Sequence, residues 1–170
     1  MKFDINLNST DALLDTFRRH AAGVAVITTT FRDQPVGFTA TSITSLGAKP
    51  PLIMFSVAKG ASSYEPMLHA EHIALHTLGK RNLALAQRMA ADHTQRFATA
   101  DWELGPHGVP VFPAATSVLI VKIREVIEIE SNAVVIGEVL TGATGEEDDA
   151  LLYQKRAYYL PGERLSEPRQ

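Results

Sequence analysis

Apolar and polar positions along this chain recur mostly with a period near two, which predicts strands more often than helices. Ser9 or Thr10 can cap a first short helix, with Leu13, Leu14 and Phe17 on one side. Asp11 sits in its first turn and Arg18 and Arg19 close it, as the helix dipole favours. Val24 to Phe31 is dominated by β-branched residues and predicts a strand. Arg32-Asp33-Gln34-Pro35 signals a turn, and the β-rich run Val36 to Leu46 completes a hairpin. Lys49-Pro50-Pro51 breaks the chain ahead of a third strand, Leu52 to Val57. Lys59 to Ser63 reads as a loop whose serines can cap a helical turn before Pro66, and His72 to Leu78 as a fourth strand.

Leu83, Ala86, Met89 and Ala90 fall at helical spacing, so Lys80 to Ala90 is predicted to be a helix. Phe97 to Pro113 holds three prolines and two glycines and reads as irregular. The two longest strands follow, Thr116 to Ile129 and Ala133 to Thr141, joined by Glu130-Ser131-Asn132. In the first of these, apolar residues occupy both alternating faces, so neither face is clean. Gly145 to Asp149 is an acidic surface turn, Leu151 to Leu160 is apolar and aromatic, and Pro161 to Gln170 is a polar tail. About six strands with two inserted helices do not alternate regularly, which disfavours a doubly wound parallel sheet. The expectation is a mainly β (α+β) fold, a six-stranded closed antiparallel barrel with no exposed sheet edge.

Length and composition narrow the function. The 170 residues suit a single domain spanning 1–170, and 45% hydrophobic with 21% charged residues is a globular composition. A formal charge of -3, from 19 acidic and 16 basic residues, argues against nucleic-acid binding by bulk electrostatics. The absence of cysteine removes disulfides, thiolate catalysis, iron–sulfur clusters and cysteine-ligated zinc. No apolar run is long enough for a membrane span, and Met1 to Asn8 lacks the layout of a signal peptide, so a cytoplasmic protein is expected. No dinucleotide-binding glycine fingerprint, P-loop or Gly-x-Ser-x-Gly elbow is present. His69, His72 and His76 come nearest to a metal cluster, but on one strand His72 and His76 would be ~13 Å apart, so no metal is expected.

Hydroxyl density is the unusual feature. Thr39-Ala40-Thr41-Ser42-Ile43-Thr44-Ser45 carries five hydroxyls in seven residues, with Ser62-Ser63 beyond the next strand. Strand alternation would put Thr39, Thr41 and Ser45 on one face and Ser42 and Thr44 on the other. Ordinary β-propensity of threonine accounts for such a run; so does a site for a phosphate-bearing ligand, with Lys59 as a nearby charge.

Read in order, these segments resemble the short-chain flavin reductases, the small reductase components of two-component flavin monooxygenases. Arg19 to Thr29 looks like the family's opening strand, Gly37 to Ser45 its flavin-contacting strand, and Pro50 to Met54 the strand after it. Lys59 to Ser63 sits at the family's serine-rich phosphate loop. Arg96-Phe97, Val109-Pro110-Val111, Gly137-Glu138-Val139 and Leu151-Leu152-Tyr153 follow in the family's order, so the resemblance spans roughly residues 13 to 160. It implies an FMN-binding split barrel, a homodimer, and hydride transfer from NADH or NADPH to FMN or FAD, with reduced flavin passed to a partner oxygenase. Residues implied to hold the flavin are Thr39, Ala40, Thr41, Ser42, Lys59, Ser62, Ser63, His76 and Arg96. Asn132, Tyr158 and His20 are the nicotinamide-side candidates. No catalytic acid or base is implied, because hydride transfer works by positioning.

Three positions depart from the family pattern. Asn132 stands where the family commonly has a histidine, His76 where it has an asparagine, and His20 where it has a phenylalanine. Two rival functions share the sequence features: a barrel that keeps FMN tightly and reduces a substrate directly, and a non-catalytic barrel that binds flavin or another small ligand. The apolar Leu151 to Leu160 segment is hard to bury inside a closed barrel and supports the dimer.

Overall fold

The computed structural model describes residues 5–166; Met1 to Asp4 of the alternating N-terminus and residues 167–170 of the tail lie outside them. The first helix, α1 (Ser9–Arg19), is capped by Asn8 rather than by Ser9 or Thr10: the Asn8 side chain accepts from the Asp11 N–H at 3.0 Å. Then follow β1 (Ala22–Gly23), β2 (Ala25–Phe31) and β3 (Gln34–Ala40). Arg32 and Asp33 join β2 to β3 with φ of 51° and 60°, the positive angles a two-residue hairpin loop needs. After β4 (Thr44–Ala48) and β5 (Pro51–Ala58) come α2 (Tyr64–His69) and β6 (His72–Thr77). The helix expected over Lys80 to Ala90 splits into a 3-10 turn, Lys80–Asn82, and α3 (Leu83–Ala90). The side-chain oxygen of Asn82 accepts the Gly79 N–H while its amide donates to Ala114, and this tightens the first turn. The remaining strands are β7 (Glu103–Leu104), β8 (Pro110–Val111), β9 (Ser117–Ile129), β10 (Asn132–Thr144), β11 (Leu152–Gln154) and β12 (Ala157–Tyr159).

Seven strands form one antiparallel sheet in the order β3-β2-β6-β9-β10-β5-β4. The fold is mainly β, as expected, but the six-stranded closed barrel is corrected to seven strands in an open sheet. The predicted strand Val36 to Leu46 is two strands, because the chain leaves the sheet after Ala40 and re-enters at Thr44. Those two strands are the sheet's opposite edges, so a sheet that begins and ends three residues apart must curl. Thr41 to Ile43 is the seam of that curl. There the Ser42 hydroxyl accepts the Ser56 N–H at 3.0 Å and reaches the Ser56 carbonyl at 3.3 Å, replacing a strand partner for β5.

The curled sheet is buried on both faces at its centre, which explains the missing clean face of β9. Inside, Ile27, Phe55, Ile73, Val121 and Val135 pack with Tyr64 and Met67 of α2. Outside, Leu85, Ala86 and Met89 of α3 pack on Val24, Val26, Phe112 and Leu151, while Val109 and Val111 cover Ala74 and Ile120. Each fully buried side chain of this size contributes about 1.5–3 kcal/mol. The threonines of β2 fasten the irregular segment: Thr28 donates to the Pro110 carbonyl and Thr30 to the Gly108 carbonyl. The Leu151 to Leu160 segment folds as the β11–β12 hairpin, which pairs with β1. Its Tyr153 and Tyr158 pack against the outer core of the same chain, so that segment does not carry the argument for a dimer. No described helix is long and apolar enough to cross a membrane.

His76 is fully buried in the sheet's outer face. The Phe112 N–H donates to its Nε2 at 3.1 Å, so Nδ1 bears the proton and donates to the Val26 carbonyl, also at 3.1 Å. Both nitrogens serve the backbone, and burial pushes the imidazole pKa down to about 4. Between pH 6.5 and 4 the unfolded chain therefore binds a proton that the fold refuses. Stability should be intact above pH 6.5 and fall as the pH drops through that window, by about 3 kcal/mol in all. His76→Gln can place an acceptor for Phe112 where Nε2 stands but cannot titrate. Urea unfolding at pH 7 and pH 4.5 should show a smaller acid loss in His76→Gln than in wild type; equal losses would assign the acid sensitivity elsewhere.

Candidate functional site

Two cavities lie on either side of Ala40, one reached from Thr39 and the other from Thr41 to Ile43. The smaller, about 490 Å³, lies between Phe38 and Thr39 of β3, the Gly60–Ser63 loop, and the chain leaving α3 through Asp92 and His93 to Arg96. Gly37 is what allows α3 so close to β3, since a Cβ there would meet the Met89 methyl at 2.5 Å. Arg96 ties the walls together. Its Nη1 donates to the Gly37 carbonyl at 2.8 Å and faces the Ser62 hydroxyl at 3.5 Å, while Nε and Nη2 both donate to Ala91. Burial lowers the Arg96 pKa and Asp92 opposes that, but a guanidinium stays charged at any working pH. Asp92 is itself held below the usual carboxylate range by hydrogen bonds from the Thr94 N–H and hydroxyl.

Ser63 is the informative residue of this cavity. It precedes α2 with helical rather than extended backbone angles, so its hydroxyl makes no capping bond. The residue is 1% exposed and its Oγ has no hydrogen-bond partner. A buried polar group left unmade costs about 1–3 kcal/mol, and such groups are rare unless something outside the fold satisfies them. Ser62 and Arg96 bring a hydroxyl and a cation to one small space, with the buried Ser63 in its wall, donors of the kind an oxyanion takes.

The larger cavity, about 750 Å³, opens on the other side of Ala40. Its walls are Leu13, Leu14 and Phe17 of α1, Thr41 to Ile43, Met54 and Ser56 of β5, and the hairpin residues Tyr153 to Arg156. It is apolar along α1 and β5 and cationic along its rim, with Arg18, Lys155 and Arg156.

The sequence-derived candidates distribute unevenly over this geometry. Thr39, Ser62, Ser63 and Arg96 meet in the smaller cavity, although the Thr39 proton is already donated to Ala86 at 2.6 Å. Thr41, Ser42 and His20 line the larger one, so Thr39 and Thr41 do not share a face as uninterrupted alternation required. Ala40 is buried in the inner core. Lys59 is exposed and lines neither cavity; its N–H donates to the Ser131 carbonyl, beside Asn132. Asn132 begins β10, paired with Ala58 and Ile129, and is not brought together with His20. Tyr158 packs edge-on against Tyr153, 5.2 Å between centroids, and burial raises its pKa. His76 is the clear correction: its nitrogens are bound to backbone in the core, away from both cavities. Residues that sequence reasoning missed include Phe38, Asp92 and His93 in one cavity and Phe17, Met54 and Arg156 in the other.

Residues 17–160 match the flavin reductase like domain family. An NADH:FMN oxidoreductase of Rhodococcus qingshengii is 40% identical over 150 residues, covering 85% of this chain and 78% of that protein. The crystal structure of a flavin reductase domain protein from Arthrobacter sp. FB24 superposes with a TM-score of 0.89 at 42% identity, covering 94% of this chain and 99% of that one. The reductase component of a flavin-dependent trigonelline monooxygenase from Acinetobacter baylyi is 29% identical over 156 residues, which are 91% of this chain and half (50%) of that protein.

The unpartnered Ser63 hydroxyl yields a prediction free of any ligand. Removing a buried hydroxyl that bonds nothing in the fold costs no hydrogen bond, so Ser63→Ala should unfold at the same urea concentration as wild type, or a higher one, by about 1 kcal/mol at most. A loss of more than that would mean the hydroxyl has a structural partner.

Proposed function

The chain belongs to the flavin reductase-like family, and from that premise we propose that it acts as a single-domain NAD(P)H:flavin oxidoreductase supplying reduced flavin to a partner monooxygenase. The observation that carries the reading is a pair of cavities on neighbouring segments of the chain, one at Thr39 with Ser62, Ser63 and Arg96, and one at Thr41 to Ile43 that is roomy and apolar. Ser62, Ser63 and the remaining N–H of Arg96 would hold the flavin's phosphate. Thr41, Ser42 and Ile43 line the space in which a flavin ring and a nicotinamide ring can face one another. A bound flavin supplies the hydride acceptor, FMN or FAD.

The chain's own contribution is to position and to dry. Hydride moves as one species with its electron pair, so no side chain has to take or give a proton in that step. Leu13, Phe17 and Met54 give the larger cavity an apolar wall for the facing rings, which a partner over α1 would close to water. The Acinetobacter relative's name, the reductase component of a monooxygenase, supports a flavin-consuming partner.

The reading includes a homodimer. Its support is α1, where Leu13, Leu14 and Phe17 are 58%, 46% and 64% exposed, an apolar stripe with no cover in one chain. Light scattering should return twice the 18.5 kDa of one chain; a monomer mass would remove that part of the reading.

Activity is tested by following NADH and NADPH oxidation with and without added FMN or FAD. Turnover that depends on added flavin is expected. Turnover by a yellow protein without added flavin would favour the rival that keeps its FMN, and no oxidation under any pairing would overturn the proposal. Flavin binding by Ser62→Ala/Ser63→Ala should be weaker by about tenfold or more, as loss of hydrogen bonds to a charged phosphate predicts. An unchanged dissociation constant would move the phosphate elsewhere.

A further inference from the structure

The larger cavity carries charge that the flavin assignment leaves unused. The chain as a whole is -3, yet Arg18, Lys155 and Arg156 line this cavity and no carboxylate does. Arg18 shares an exposed pair with Asp15 at 3.4 Å. Among the described residues Lys155 and Arg156 have no ion-pair partner. Arg32, in the two-residue turn between β2 and β3, makes the contrast: it pairs with Glu65 at 3.2 Å and lies over the Phe31 ring.

Backbone bonds put the three cations in one place. The Lys155 N–H donates to the Arg18 carbonyl at 2.8 Å, and the Gln154 amide donates to the Arg19 carbonyl at 2.6 Å. The tip of the β11–β12 hairpin is thus fastened to the last turn of α1, and residues far apart in sequence share one rim. Phe17, Ile43 and Met54 supply apolar lining to the same cavity. A ligand matched to such a space has a flat ring for the apolar wall and at least two phosphate charges for the rim. The smaller cavity already accounts for one phosphate, on the other side of Ala40.

Resting on the flavin reductase reading above, we infer that Lys155 and Arg156, with Arg18 beside them, bind the diphosphate of the nicotinamide dinucleotide and set this chain's KM for it. The rim acts on the dinucleotide's arrival and hold, not on the hydride step. Its effect therefore falls on KM and on the salt dependence of kcat/KM, leaving the rate at saturation in place.

The test exploits the turn's own geometry. Lys155 and Arg156 have φ of 49° and 63°, a conformation that Asn-Gly adopts with less strain, so Lys155→Asn/Arg156→Gly removes both charges while keeping the hairpin. Steady-state kinetics with NADH at saturating flavin should show KM raised about tenfold, kcat within about twofold of wild type, and a flatter fall of kcat/KM with added salt. Swapping the cations, Lys155→Arg/Arg156→Lys, should restore KM. An unchanged KM for NADH overturns the inference, as does a variant whose flavin KM rises while its NADH KM does not, which would give the rim to the flavin. Failure of the underlying reading looks different, because wild type itself would then oxidise no nicotinamide with any flavin.

Discussion

The structure turns on the three-residue link between the two edges of its sheet. Edge strands carry unpaired N–H and C=O groups, and a full barrel would satisfy them by joining the edges. Here β3 and β4 are consecutive in the chain but lie at opposite ends of the strand order, so closure is covalent and not hydrogen-bonded. Ser42 stands in for the missing ladder by bonding both backbone groups of Ser56. The larger cavity lies along this link, lined by Thr41 to Ile43 and Ser56, while the smaller begins on the β3 side of Ala40, at Phe38 and Thr39.

Burial of the central strands on both faces makes such an opening tolerable. β2 sends Ile27 inward and Val26 outward, and β9 divides Val121 and Ile120 in the same way. The outer layer then has work to do at the site. Gly37 leaves space for Met89, which brings α3 onto β3, and the chain after α3 delivers Arg96 to the Gly37 carbonyl. A Cβ at position 37 would meet the Met89 methyl and the Ile27 carbonyl, so the glycine eases the packing of α3 on β3 beside the smaller cavity.

Much of this was legible in the sequence, and the failures have physical causes. β-branched density located β2, strands were expected where β5, β6, β9 and β10 stand, and the hydroxyl-rich stretch marked a segment with residues in both cavities. Its count as one strand was wrong because alternation carries no sign of where a strand leaves its sheet. His76 in Ile73-Ala74-Leu75-His76-Thr77 reads the same whether it faces a ligand or the core; only the placement of Phe112, 36 residues away, decides it. The cationic rim was invisible for a similar reason, since Arg18 and Lys155 meet only when the hairpin is fastened to α1. Asn132 and His20 were grouped by resemblance, but Asn132 lies where β10 meets the end of β5 and His20 lines the larger cavity.

The placement of titratable groups follows from the chemistry. A reaction that moves a hydride asks for fixed distances and little water, and gains nothing from a side chain that changes charge beside the rings. His76, held neutral down to about pH 4, is spent on tying β6 to β2 and to Phe112, in the outer core. Arg18, Lys155 and Arg156 line the larger cavity together with His20. Acid should therefore act on this protein first through the stability of the outer core, whose Phe112 packs on Phe97 beside Arg96. A decline in turnover below pH 6.5 would then report the loosening of that layer and of the smaller cavity beside it, ahead of any change in the hydride step.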